Sequence, residues 1–187
     1  MASIETQTKI GLISKALVLC GEAPLTSLED NRYGATVGAA LFELIYENEL
    51  QSNRWRFACK KNSLSRLTAV PANEWAYAYQ MPSDMLLPIG IYGRVDYELY
   101  GPHMYTNELS VILEYMYKPD ITRVPAYFSM LMTYALARDM IKPITESDTG
   151  VQIMQGKYVK QRDRAMYADA QGRPNREIQS SPFTEMR

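Results

Sequence analysis

Residues 74–81 read EWAYAYQM, and their alternation decides the fold class. Trp75, Tyr77 and Tyr79 fall on one side of an extended chain, and Ala76, Ala78 and Gln80 on the other. A period of two belongs to a strand, so the stretch predicts a strand with an aromatic face. Downstream, residues 89–92, 95–100 and 108–117 predict further strands, divided by turns at Gly93, Gly101-Pro102 and Thr106-Asn107. Eight of the 14 tyrosines lie between Tyr77 and Tyr117, as suits a pleated, half-buried surface. Upstream, residues 55–67 mix aromatic, basic and small residues without helical spacing.

Helical patterns flank this region. Residues 6–20 place Ile10, Ile13, Ala16, Leu17 and Cys20 on one face, with Thr6 or Thr8 as cap and Gly21 as stop. Ser27-Leu28-Glu29-Asp30 predicts the start of a second helix running to about residue 53. Its expected inner stripe is Tyr33, Val37, Ala40, Leu41, Leu44, Ile45 and Asn48. Gly34, Ala35, Gly38 and Ala39 offer a second side for close helix approach. A third helix carries Pro125 in its first turn, is lined by Tyr127, Phe128, Leu131, Met132, Ala135 and Met140, and is expected to end at Pro143. A fourth, residues 147–170, turns Val151, Met154, Tyr158, Ala165 and Met166 inward. Beyond Gly172 the chain is polar and aperiodic, with an isolated Phe183.

The expected fold is therefore α+β, mainly α. Residues 1–54 and 119–172 form a four-helix bundle. Residues 55–118 form an antiparallel β subdomain inserted between helices two and three and projecting from the bundle. Residues 173–187 form an extended C-terminal tail.

The chemistry legible in the sequence is sparse. A single histidine, His103, lies in an expected turn, and the two cysteines, Cys20 and Cys59, are far apart in apolar contexts. A histidine-based triad would need that one residue, and a structural zinc site lacks ligands. No GxxxxGK[ST], GxGxxG or GxSxG sequence occurs. The carboxylate pairs Glu29-Asp30 and Glu47/Glu49 suit a helix start and a solvated face. These observations predict no catalytic residue, no cofactor and no metal, although a carboxylate-based hydrolase of cell wall stays open as a competing reading. The net charge of -1 argues against a DNA-coating surface, and no apolar run is long enough to span a bilayer. Arg54, Arg56, Lys60, Lys61 and Arg66 place five positive charges and no negative ones between residues 54 and 66. They suit a protected strand edge, or a contact with an acidic partner or passing DNA.

Several segments resemble a known family. Gly21-Glu22-Ala23-Pro24 with Ser27-Leu28-Glu29-Asp30, and Asn53-Arg54-Trp55-Arg56-Phe57-Ala58, are similar to the N-terminal half of tail tubular protein A, the head-to-tail adaptor of short-tailed bacteriophages. Residues 75–84, WAYAYQMPSD, resemble that family's aromatic strand and its Pro-Ser-Asp turn. Pro125-Ala126-Tyr127-Phe128, Leu136-Ala137, Pro143-Ile144-Thr145-Glu146-Ser147 and residues 165–171 resemble its later helices. The Trp-Arg-Phe-Ala and Trp-x-Tyr-x-Tyr-Gln-x-Pro-Ser-Asp segments are the specific ones.

The resemblance implies a structural virion protein with no active site, present in host cytoplasm during assembly and then in the virion neck. It implies a ring, twelve-fold in that family, between the portal and a tail nozzle of the tail tubular protein B type, around the genomic double-stranded DNA and away from any membrane. The tail, with Arg173, Arg176, Ile178, Pro182, Phe183, Met186 and Arg187, would dock on the portal. The β subdomain, with Tyr92, Tyr97, Tyr100, His103 and Tyr105, would face the nozzle. Another neck completion or tail terminator role on a similar scaffold is the alternative.

Overall fold

The computed structural model describes residues 8–25, 27, 31–69, 71–93 and 95–172. Helix α1 (Lys9–Leu19) starts on Thr8, whose hydroxyl accepts from the Gly11 amide, and Gly21 turns the chain out of it at φ 89°. The alternative cap, Thr6, lies outside the described residues, as do Leu28, Glu29 and Asp30. Helix α2 (Tyr33–Gln51) begins six residues after Ser27 and has no side-chain cap. The Arg32 guanidinium, just before it, donates to the Ala23 and Pro24 carbonyls and fixes the connection from α1.

The seven strands are β1 (Cys59–Ser63), β2 (Ser65–Arg66), β3 (Tyr77–Gln80), β4 (Met85–Ile91), β5 (Tyr97–Tyr100), β6 (His103–Thr106) and β7 (Ile112–Tyr117). Helices α3 (Ala126–Thr145) and α4 (Asp148–Gln171) close the described chain. Helix α3 runs through Pro143 to a left-handed Glu146 at φ 55°, and Ser147 caps α4 through the Gly150 amide.

The expected four-helix bundle with an inserted, projecting β subdomain over residues 55–118 is overturned. The strands form two antiparallel sheets, one of three strands in the order β1-β7-β4 and one of four in the order β2-β3-β6-β5. The helices gather around α3, with α1, α2 and α4 each laid against it. The three-stranded sheet is a middle layer. On one side Met116 is buried in the helical core, with Cys59, Leu86 and Ile89 against it. On the other, Leu113 and Tyr115 are buried against Tyr79 and Met104 of the four-stranded sheet. The physical reason lies in β7: Leu113, Tyr115 and Tyr117 give one side of the strand an apolar face for the four-stranded sheet, and Met116 enters the helical core from the other side, where Ile112 and Glu114 stay toward solvent.

The helical stripe on α2 is also corrected. Tyr33 and Leu44 of the expected inner stripe are exposed, at 62% and 70%, and Ala40 and Asn48 are exposed too. The small side turns inward instead. A Cβ added at Gly34 would meet Leu17 Cδ2 at 2.6 Å, and one at Gly38 would meet Ile13 Cγ2 at 2.5 Å. Glycine lets α1 approach, and this close contact sets the rotation of α2. On α4, Met166 is likewise exposed rather than inward.

Candidate docking surfaces

The two specific segments of the resemblance are joints of the fold. After α2, Trp55 is fully buried, and its indole donates to the Glu49 carbonyl at 2.8 Å. Phe128 stands edge-on to Trp55 and Phe57, with ring centroids 5.2 and 4.9 Å away. The Arg56 amide donates to both oxygens of Asp169, which also accepts from the Tyr127 hydroxyl at 2.8 Å. One carboxylate at the end of α4 thereby ties the start of α3 to the turn that leads into β1.

In the second segment, Tyr77 and Tyr79 share one side of the strand as expected, that side faces the inner core, and the Tyr79 hydroxyl donates to the Glu108 carbonyl at 2.6 Å. Trp75 does not continue that side. It precedes the strand, and its indole donates to Glu98, which sits opposite Tyr105 on the other face. Asp84 accepts from the Tyr115 hydroxyl at 3.0 Å and from Lys60 at 2.8 Å. The Lys60 contact holds this carboxyl below its ordinary range.

The basic run is divided by the structure. Arg54 and Lys61 both pair with Glu114, and Lys60 pairs with Asp84 while lying 3.6 Å from the Tyr117 ring centroid. Arg56 reaches back beside Gly172, and Arg66 lies over Tyr77. Three of the five cations are thus partnered along the middle sheet rather than presented as one bare patch.

Among the expected nozzle-facing residues, Tyr100, His103 and Tyr105 come together on the outer face of the four-stranded sheet, with the Tyr105 ring 5.9 Å from Tyr100 and 6.5 Å from His103. His103 stands in β6 rather than a turn. Tyr92 stands apart, beyond β4 and below Lys61. Tyr97 packs against the inner core instead. The expected portal-docking residues Arg173, Arg176, Ile178, Pro182, Phe183, Met186 and Arg187 lie outside the described residues.

Three further features were not legible as sites. Glu49, expected on a solvated face, is fully buried, and its Oε1 accepts from the Tyr158 hydroxyl at 2.9 Å. Burial pushes its carboxyl up from the ordinary range, and it also pushes up the Tyr158 phenol. The spacing Phe42, Ile45, Tyr46, Glu49 marks it as an inward position on α2. A groove of about 600 Å³ runs between α1 and α3, walled by Leu12, Val18, Leu19, Met130 and Tyr134. Helix α4 buries Met154, Tyr158, Ala165 and Asp169, half-buries Val151, Gln161, Arg162 and Ala168 beside them, and leaves its opposite side outward.

Among the described residues, no group of three or more His, Cys, Asp or Glu is placed to hold a metal ion, and no helix is long and apolar enough to cross a membrane. No protein-family model matches this chain, and no curated protein matches it.

Proposed function

We propose that this chain is a structural virion protein, a head-to-tail adaptor that forms a ring between a portal and a tail nozzle and surrounds the DNA channel. The observation that carries the reading is the position of the two family-like segments. Residues 53–58 join the helical layer to the middle sheet through Trp55 and Asp169. Residues 75–84 run through the outer sheet and end at Asp84, which Tyr115 of the middle sheet and Lys60 hold in place. Segments shared with a structural family would sit at such joints, because the joints fix how the layers present their surfaces.

The surface supports the same reading. Exposed apolar side chains occur on unlike faces: Val18 and Met130 at the groove, Tyr33 and Leu44 on α2, Tyr167 on α4, and Leu87 and Tyr92 on the sheets. Several distinct apolar faces suit a protein with several neighbours, as a ring subunit between two assemblies has.

The test is cryo-electron microscopy of the particle that contains this protein. The expected result is this fold repeated as a ring directly beneath the portal. Its placement elsewhere along the tail axis would favour a terminator role, and its absence from the particle would overturn the virion reading. In solution, removing residues 173–187 is expected to leave the thermal transition unchanged and abolish binding to the portal. Unchanged portal binding would refute the docking role of the tail.

A further inference from the structure

Helix α4 carries Ile153, Lys157, Lys160, Arg164 and Tyr167 at successive spacings of four, three, four and three residues. That spacing puts them on one stripe of a helix, about 21 Å long at 1.5 Å per residue. All five are exposed. Lys157, Lys160 and Arg164 pair with no carboxylate among the described residues, in contrast to Arg54, Lys60 and Lys61. Asp163 is the acid beside them, so the stripe stays net positive.

The complementary charge sits in the outermost layer on the far side of the middle sheet. At the end of the four-stranded sheet away from the Gly101-Pro102 turn lie Glu74, Asp96, Glu98 and Glu108. The register brings them together. Tyr97 and Tyr77 both face Thr106 across their ladders, so the residues just before β3 and β5 meet those just after β6. Thr106 donates to the Asp96 carbonyl, and the Asn107 side chain accepts from the Ala76 amide, which closes this end. Glu74, Asp96 and Glu108 are exposed and unpaired among the described residues, and Glu98 accepts from Trp75. Among the described residues, Arg66, stacked on Tyr77, is the nearby cation, and the described groups at this end are net negative.

We propose that the outward stripe of α4 docks on the acidic end of the four-stranded sheet of a second copy of this chain. The inference builds on the ring reading and supplies the ring with its two unlike faces. The stripe belongs to the helical layer and the acidic end to the four-stranded sheet, with the middle sheet between the two cores, so the charges of different copies can meet head to tail. A head-to-tail contact is heterologous: it closes into a ring or runs on as a filament, and it does not stop at a dimer. The cations set orientation and association rate, while Ile153 and Tyr167 at the two ends of the stripe add apolar contact.

The test is a charge exchange on the full chain, read by mass photometry and sedimentation velocity at low salt. One variant carries Lys157→Glu, Lys160→Glu and Arg164→Glu. The other carries Glu74→Lys, Asp96→Lys and Glu108→Lys. All six positions are exposed, and circular dichroism checks that each variant is folded. The wild type is expected to form oligomers larger than a dimer, and raising salt from about 0.05 to 0.5 M is expected to weaken association about tenfold or more. Each variant alone is expected to stay monomeric. Their equimolar mixture is expected to assemble again, because each reversed face then meets an opposite one.

A wild type that stays monomeric, variants that assemble like it, or a mixture that stays dissociated would each overturn the proposal. An α4 variant that assembles normally but loses retention on heparin or duplex DNA would assign the stripe to a polyanion instead. The adaptor reading is judged separately, by the position of the chain in the particle. A ring seen beneath the portal with these two faces apart would sink this interface and leave that reading standing.

Discussion

Replacing Met116 by alanine tests the layered architecture directly. Met116 is 1% exposed and lies on β7, where it enters the helical core, while its strand neighbours Leu113 and Tyr115 enter the other core. Removing a fully buried methionine side chain costs about 2–5 kcal/mol, the spread reflecting how far the site collapses. In a domain of this length about 1 kcal/mol lowers Tm by roughly 2–4 °C, so a fall of about 4–20 °C is expected. Differential scanning calorimetry gives the size of the effect. Hydrogen exchange read by mass spectrometry gives its spread. Because β7 serves both cores, amides of α3 and of β6 are expected to lose protection together, in one cooperative transition. Two separate transitions, with only the helical one displaced, would refute the shared middle layer and restore a β unit that folds apart from the helices.

Glu49→Gln removes a buried ionisable group. The folded state raises this carboxyl above its ordinary value of 4.5, so its contribution to stability is complete below pH 4.5 and is lost as pH rises through the folded value. Urea unfolding of the wild type is therefore expected to lose stability relative to the variant as pH rises above about 4.5, and a gain in that direction would contradict the burial argument. Trp55→Phe removes the indole donor to the Glu49 carbonyl, which keeps the Ser52 hydroxyl, and the lost hydrogen bond is expected to cost about 0.5–1.5 kcal/mol in chemical denaturation. Lys61→Ala removes a long 3.6 Å contact to Glu114 at the surface and is expected to change stability by less than about 1 kcal/mol by the same assay.

What the sequence disclosed follows the reach of local signals. The helix starts near Thr8 and near residue 147 and the Pro125 boundary of α3 depend on a few neighbouring residues, and they are legible. The Tyr77–Tyr79 alternation is legible for the same reason. Strand β1 is not, because CKKNS has no apolar alternation; its identity comes from pairing with β7, where Cys59 meets Met116. Hairpin β5–β6 is only half legible, since HMYT follows a Gly-Pro turn and resembles its continuation. The layering is non-local altogether, as it depends on which strand is covered twice. The rotation of α2 is not legible, because residue size favours the large apolar side chains for the inner stripe, whereas glycine contacts to Leu17 and Ile13 decide it. Among the candidate sites, the basic run reads as one patch until Glu114 and Asp84 arrive from distant strands to divide it.

Asp169 has a mechanical consequence. It is a single carboxylate on the last turns of α4, gripped at once by the Arg56 amide and the Tyr127 hydroxyl. A pull applied beyond residue 172 does not meet a free helix end. It is transmitted within one turn to the first residues of α3 and to the corner where the chain passes into β1. A tug on that terminus is therefore shared between helical layer and middle sheet before α4 can peel away. Asp169→Asn would weaken this mooring, and single-molecule stretching would record it as a lower first rupture force.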